Sequence, residues 1–269
     1  MAKSKPPFDA LDDFEQVELT YFGSTKTVYR KGSGPAVVIM TEIPGITPKV
    51  ADFARRVADL GCTVAMPSLY GVDGRRPTSG YLATSVAKVC ISHEFTTFTT
   101  GKSSPVIVWL RALARDLHQE CGGPGVGAVG MCLTGGFALA MMVDEEMIAP
   151  VLSQPSTPFA LSKGHKADLG ISPTELKVVK ERVDAGVCVL GVRFTGDPLS
   201  PPERFESLRR ELGEGFIGVE IDSSEGNPHG FAKDAHSVLT EDLVDEPGNP
   251  THDALNQVLE HLSNKLLPS

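Results

Sequence analysis

The chain has 269 residues, a formal net charge of −9, 41% hydrophobic and 22% charged residues. That is the composition of a globular protein able to bury a full core, with no lysine- or arginine-rich run to suit a nucleic acid or an acidic membrane surface. Five scattered cysteines without a Cys-x-x-Cys pair argue against a disulfide framework or a cysteine zinc site. The opening MAKSKPPFDALDDFEQ carries no apolar stretch of the kind a signal peptide needs, and no apolar run approaches membrane-spanning length. The expected compartment is the cytoplasm.

In chain order, VELTYFGSTKTVYR (17–30) predicts two short antiparallel strands around Gly23-Ser24. PAVVIMTE (35–42) is a continuous apolar run, the mark of a strand buried on both faces. Thr47-Pro48 opens a helix with Val50, Phe53, Ala54, Val57 and Leu60 at helical spacing, closed by Gly61. CTVAMPSLY (62–70) is the next strand, and Ser104-Pro105 starts a helix with Trp109, Leu113 and Leu117 on one face. GVGAVGM (125–131) predicts a strand leading into the apolar helical stretch LTGGFALAMM. Then come a strand at MIAPVLSQP (147–155), a helix after Ser172-Pro173, a strand at GVCVLGVRFTG (186–196) and a helix after Ser200-Pro201. IGVEIDSS (217–224) is the last strand, followed by a helix carrying Leu255, Val258, Leu259, Leu262 and Leu266. This alternation predicts one α/β domain spanning 1–269, with a mostly parallel central sheet and helices on both faces. Its ligand site is expected at the carboxyl ends of the strands.

Cys132, in VGMCLTGGFA, falls where a strand ends and a helix begins. A nucleophile elbow needs that setting, with small residues flanking a tight turn. Gly130 lies two residues before, and Gly135 and Gly136 three and four after. The helix N-terminus would favour a thiolate, and the N–H of Leu133 would face a developing oxyanion. The residue two after Cys132 is Thr134 rather than glycine, so a different or looser turn is expected. A buried structural cysteine is the alternative. The order nucleophile, acid, histidine picks out Asp197 in RFTGDPLSP and His229 in EGNPHGFAK. Asp222 is the alternative acid, and His236 or His252 could stand in for His229. His118 and His261 fall on helical faces and are expected to be solvated, while His165 precedes Asp197.

Four pieces in order, TEIPGI (41–46), VGMCLTGG (129–136), TGDP (195–198) and NPHGF (227–231), resemble the dienelactone hydrolase family. The resemblance implies the α/β-hydrolase fold and a Cys132, His229, Asp197 triad. It also implies that Glu42 helps to deprotonate the thiol, and that the N–H of Ile43 is the second oxyanion donor. Family prototypes hold a substrate carboxylate with arginine, for which Arg75 and Arg76 are candidates, and His93 is a further candidate for lining the pocket. The stretch 156–186 is longer than a prototype needs and is a candidate lid or insertion.

These readings imply hydrolysis of an activated ester or lactone through a thioester, with a small-molecule substrate and neither metal nor organic cofactor. A related esterase or thioesterase with another substrate is the near alternative. A non-catalytic small-molecule-binding protein on the same fold is the distant one. A cysteine glutaminase fits less well, because Phe231 stands where such enzymes place an acid two residues after the histidine. Oligomeric state is not encoded in any visible motif.

Overall fold

The computed structural model describes residues 8–82, 85, 104–156 and 163–267. Strands β1 (Glu15–Tyr21) and β2 (Ser24–Gly32) form an antiparallel hairpin, with Glu15 opposite Arg30 and Tyr21 opposite Ser24. Its two-residue turn, Phe22 and Gly23, has positive φ at both positions. That is the backbone twist which matches the twist of the flanking strands.

The parallel part begins with β3 (Ala36–Met40), every residue of which is buried. Helix α1 (Pro48–Asp59) follows, capped by Thr47 Oγ1, which accepts the Val50 N–H at 3.3 Å. Next are β4 (Thr63–Pro67) and α2 (Pro105–Cys121), the latter opened by Ser104 and Pro105 as expected. Strand β5 (Val126–Met131) leads through a single 3₁₀ turn, Cys132–Thr134, into α3 (Gly135–Met141). Strand β6 (Met147–Ser153), the short α4 (Lys163–Ala167) and α5 (Pro173–Asp184) come next. The chain ends with β7 (Val189–Phe194), α6 (Pro202–Leu212), β8 (Phe216–Ile221) and α7 (Pro250–Leu266).

The eight strands lie in the order β1-β2-β4-β3-β5-β6-β7-β8. The β1–β2 and β2–β4 pairs are antiparallel and the rest are parallel. Period-two alternation sends Val38 and Met40 of β3 to one face, with Trp109, Phe137 and Phe205. Val37 and Ile39 go to the other face, with Phe53, Phe194 and Leu262. Burying both faces explains why the strands read as unbroken apolar runs.

The described part of 156–186 is built into the body of the fold. Helix α5 buries Val179, and Arg182 donates to the carbonyls of Met142 (2.9 Å), Glu145 (3.0 Å) and Met147 (2.9 Å). It is the crossover between β6 and β7, closed at its start by a reciprocal Ser172–Glu175 capping box. Residues 157–162 lie outside the described part, as does His93. His261, expected to be solvated, is instead buried on the inner face of α7, and burial pulls its pKa down to about 4.

Candidate active site

The site lies where β3, β5, β6 and β7 end. Cys132 has φ +57°, a left-handed conformation uncommon for a residue with a side chain. Two glycines permit the turn. A Cβ on Gly130 would lie 2.1 Å from the Thr134 carbonyl oxygen, and one on Gly135 would lie 2.7 Å from Pro155 Cα.

Thr134 does not loosen the elbow. Its buried hydroxyl accepts the Met131 N–H at 2.8 Å and lies 2.9 Å from the carbonyls of both Met40 and Met131. It thus closes the turn on itself and bonds it to the end of β3. Sequence reading weighed only the stiffness of the β-branched side chain and missed what the hydroxyl could do. This link holds the end of β3 against the elbow. Leu133 lies in the first turn after Cys132, where backbone N–H groups have no acceptor inside their own helix.

The acid and the histidine reach the same rim from β7 and from the β8–α7 connection. Asp197, 2% exposed, accepts the Leu199 N–H at 2.9 Å through Oδ1. Its Oδ2 lies 2.6 Å from Nδ1 of His236. The backbone N–H groups of His236 and Ser237 both donate to Asp242 at 2.9 Å, which sets the imidazole's direction. Nε2 of His236 is buried on the Cys132 side and has no aligned hydrogen bond among the described residues. Burial opposes charge on this imidazole. The adjoining Cys132 and Asp197 outweigh that and hold its pKa well above the ordinary value.

His229 is therefore corrected as the partner of Asp197. It is exposed in the loop after β8, with its ring 6.0 Å from that of Phe231 and with Asp222, also exposed, as its charged neighbour. The NPHGF piece places a histidine after the last strand, but its Pro and Gly neighbours give it nothing to bury. His236 sits beside buried Ala235, Ser237, Val238 and Leu239, and that apolar flank is the signal that distinguishes it. His252 pairs with Asp245 at 2.9 Å, away from Asp197.

Glu42 is 3% exposed, and both its oxygens are engaged by neutral donors. Gln154 Nε2 (3.1 Å) and Ser237 Oγ (2.7 Å) donate to Oε2, and Thr240 donates to Oε1. The carboxylate thus ties the end of β3 to the end of β6 and to the loop carrying His236. Three further residues adjoin Cys132 that sequence reading did not single out. Ser156 Oγ lies 3.1 Å from the sulfur. Tyr70, whose hydroxyl donates to the Thr41 carbonyl, is within electrostatic reach of the sulfur. So is Arg204, 2% exposed, which burial pulls down to about 10. Arg204 comes from α6, reads as an ordinary helical arginine, and donates to the carbonyls of Asp168 (2.8 Å) and Pro155 (2.9 Å). Arg75 is exposed and stacks over Tyr81 at 4.2 Å, and Arg76 is half-buried beside it. Among the described residues no group of three or more His, Cys, Asp or Glu could hold a metal ion, and no helix is long and apolar enough to cross a membrane.

A strained strand–helix elbow and a buried acid–histidine pair on a sheet of this strand order define an α/β-hydrolase. The sequence model of the Dienelactone hydrolase family matches residues 20–266, and the chain belongs to that family. It is therefore a hydrolase of carboxylic ester-type substrates. A search of the curated proteins finds no significant match. Among solved structures it is similar to a chain from Klebsiella pneumoniae subsp. pneumoniae MGH 78578 described provisionally as a dienelactone hydrolase. That match has a TM-score of 0.62 and 17% identity, covering 93% of this chain and 98% of that one. It is also similar to a dienelactone hydrolase from Anabaena variabilis ATCC 29413, with a TM-score of 0.58, 15% identity and coverage of 94% and 99%. A dienelactone hydrolase-like promiscuous phosphotriesterase from metagenomic libraries matches with a TM-score of 0.56, 15% identity and coverage of 94% and 98%. At these identities the structural likeness speaks to the fold.

Proposed function

We propose that the protein hydrolyses activated esters or lactones of the dienelactone type through a thioester on Cys132. The observation that carries this reading is the strained elbow cysteine facing a buried His236–Asp197 pair. The sulfur attacks the acyl carbon as a thiolate, with the His236 imidazolium beside it. The N–H groups of Ile43 and Leu133 receive the oxyanion. The C–O bond breaks and the departing enolate oxygen, still tethered when the substrate is a lactone, takes the proton of the His236 imidazolium, which leaves the imidazole neutral. His236, oriented by Asp197, then takes a proton from water. The resulting hydroxide attacks the thioester and the sulfur departs as thiolate. A thiolate is also a good leaving group, which suits activated esters and lactones better than amides.

Glu42 acts in this scheme by position. With both oxygens engaged by Gln154, Ser237 and Thr240, it fixes the histidine loop against the end of β3, and thiol deprotonation falls to His236. The test compares wild type with Cys132→Ser on an aryl acetate, a dienelactone and a saturated lactone. Iodoacetamide labelling located by mass spectrometry runs alongside. Dienelactone turnover lost on substitution, with fast selective labelling at Cys132, is the expected result. Turnover of the aryl acetate alone reassigns the substrate to another ester. No turnover and a slow, unselective thiol overturn the reading in favour of a binding protein.

A further inference from the structure

Of the groups around the sulfur that the triad does not use, one is a neutral hydroxyl within hydrogen-bond distance of it. Ser156 Oγ lies 3.1 Å from Cys132 Sγ, in hydrogen-bond geometry with it. A neutral thiol and a hydroxyl could bond in either direction. Once the sulfur is a thiolate it has no proton, and only the hydroxyl can donate.

The segment that presents this hydroxyl is held from several sides. The Ser156 N–H donates to the Cys132 carbonyl at 2.9 Å, closing the elbow onto the end of β6. The Pro155 carbonyl accepts from buried Arg204 at 2.9 Å, and Pro155 packs so closely on Gly135 that no Cβ fits between them. Gln154 has φ +33°, an uncommon conformation for a non-glycine residue, and its N–H donates to the Val192 carbonyl at 2.7 Å. Ser156 itself is buried. A hydroxyl fixed in this way donates to the sulfur without first having to be ordered.

We propose that Ser156 is a further catalytic residue of this site: its hydroxyl donates a hydrogen bond to the Cys132 thiolate, stabilising the nucleophile and fixing its direction of attack. This rests on the reading of Cys132 as the nucleophile. The charged and titratable groups around the sulfur are His236 from the β8–α7 loop, Tyr70 after β4 and Arg204 from α6. Behind them stand Asp197, paired with His236, and Glu42, facing Tyr70. Ser156, which does not titrate, adds a hydrogen bond to the sulfur without adding a charge, so its removal changes the thiol's acidity while leaving the charges in place.

The experiment measures the iodoacetamide alkylation rate of the full-length protein against pH, with the labelled residue located by mass spectrometry, and kcat/KM for an aryl acetate over the same range. Wild type is compared with Ser156→Ala and with the near-isosteric pair Ser156→Thr and Ser156→Val. Alanine and valine are expected to raise the apparent thiol pKa by about one unit. They should also lower kcat/KM on the acidic side, with recovery as the pH rises. Threonine, which keeps the hydroxyl, should restore the wild-type profile. Superimposable profiles for all three variants overturn the proposal, as does a threonine profile displaced as far as that of valine. If alanine compromises folding, the threonine–valine comparison decides, since those variants differ by a hydroxyl against a methyl. A wild-type Cys132 that does not label selectively sinks the nucleophile assignment itself, a result distinct from any of these.

Discussion

His236→Gln and His229→Gln separate the two histidines that the chain places after its last strand. Asp197 is buried and, among the described residues, its carboxylate accepts the Leu199 N–H and pairs with the His236 ring. Glutamine can still donate an amide N–H toward Asp197, so the variant keeps a partner for the carboxylate and is expected to fold. It cannot take a proton. Losing a positioned general base removes about 10²–10⁴ in rate, so kcat/KM should fall by about a thousandfold, or about 4 kcal/mol. His229 is exposed and touches the ring of Phe231. Its substitution should change kcat/KM by no more than about twofold, within the usual ~0.5 kcal/mol of a surface change. The assay is steady-state hydrolysis of an aryl acetate, with a thermal melt to confirm folding. A thousandfold loss in His229→Gln with activity retained in His236→Gln would refute the assignment. The stability has its own signature. The native state holds the His236 proton more tightly than the unfolded chain does, its pKa lying well above 6.5. The stabilisation is therefore complete below about 6.5 and fades as the pH rises through the native value. His236→Gln should lose that pH dependence.

Two further perturbations test the elbow and the core. Thr134→Val leaves the buried Met131 N–H without its side-chain acceptor and the Met40 carbonyl without its donor. It should cost about 1–3 kcal/mol in urea unfolding, whereas Thr134→Ser should recover most of the loss, and equal stability for the two would refute the role of the hydroxyl. His261 has its pKa lowered from 6.5 to about 4 by burial. The unfolded chain then binds the extra proton, so stability falls as the pH drops from 6.5 toward 4, by about 3 kcal/mol over that range. His261→Leu should flatten that slope relative to wild type, and parallel slopes would show that the histidine is not buried neutral.

The architecture was legible because it rests on local signals. Thr47-Pro48, Ser104-Pro105 and Ser172-Pro173 each pair a capping hydroxyl with a proline that tolerates the first helical turn, and each begins a helix. The turn at Cys132 was legible for a similar reason, since a glycine two residues before it is demanded by backbone contact alone. The histidine was less so. Which of several loop histidines reaches Asp197 depends on the path of a long connection, and only the buried residues flanking His236 mark where that path turns inward. Ser156, Arg204 and the donors to Glu42 lie beyond local reading, because each becomes meaningful through a neighbour brought in by the fold. Thr134 shows the opposite error, where a true local property, stiffness, hid a tertiary one.

The bonds that complete the site span great lengths of chain. Thr134 reaches Met40 across 94 positions, His236 reaches Asp197 across 39, and Thr240 reaches Glu42 across 198. Contacts of such high order are expected to form late, because the loop-closure entropy must be met before they return anything. On the proposed mechanism, a partly folded chain, or one still being synthesised, would carry Cys132 without the imidazole that takes its proton. The sulfur would then lack its activating partner. On that reading the arrangement would delay the hazard of a reactive sulfur until the sheet around it is whole, and the onset of fast alkylation during refolding would time the arrival of the last loop.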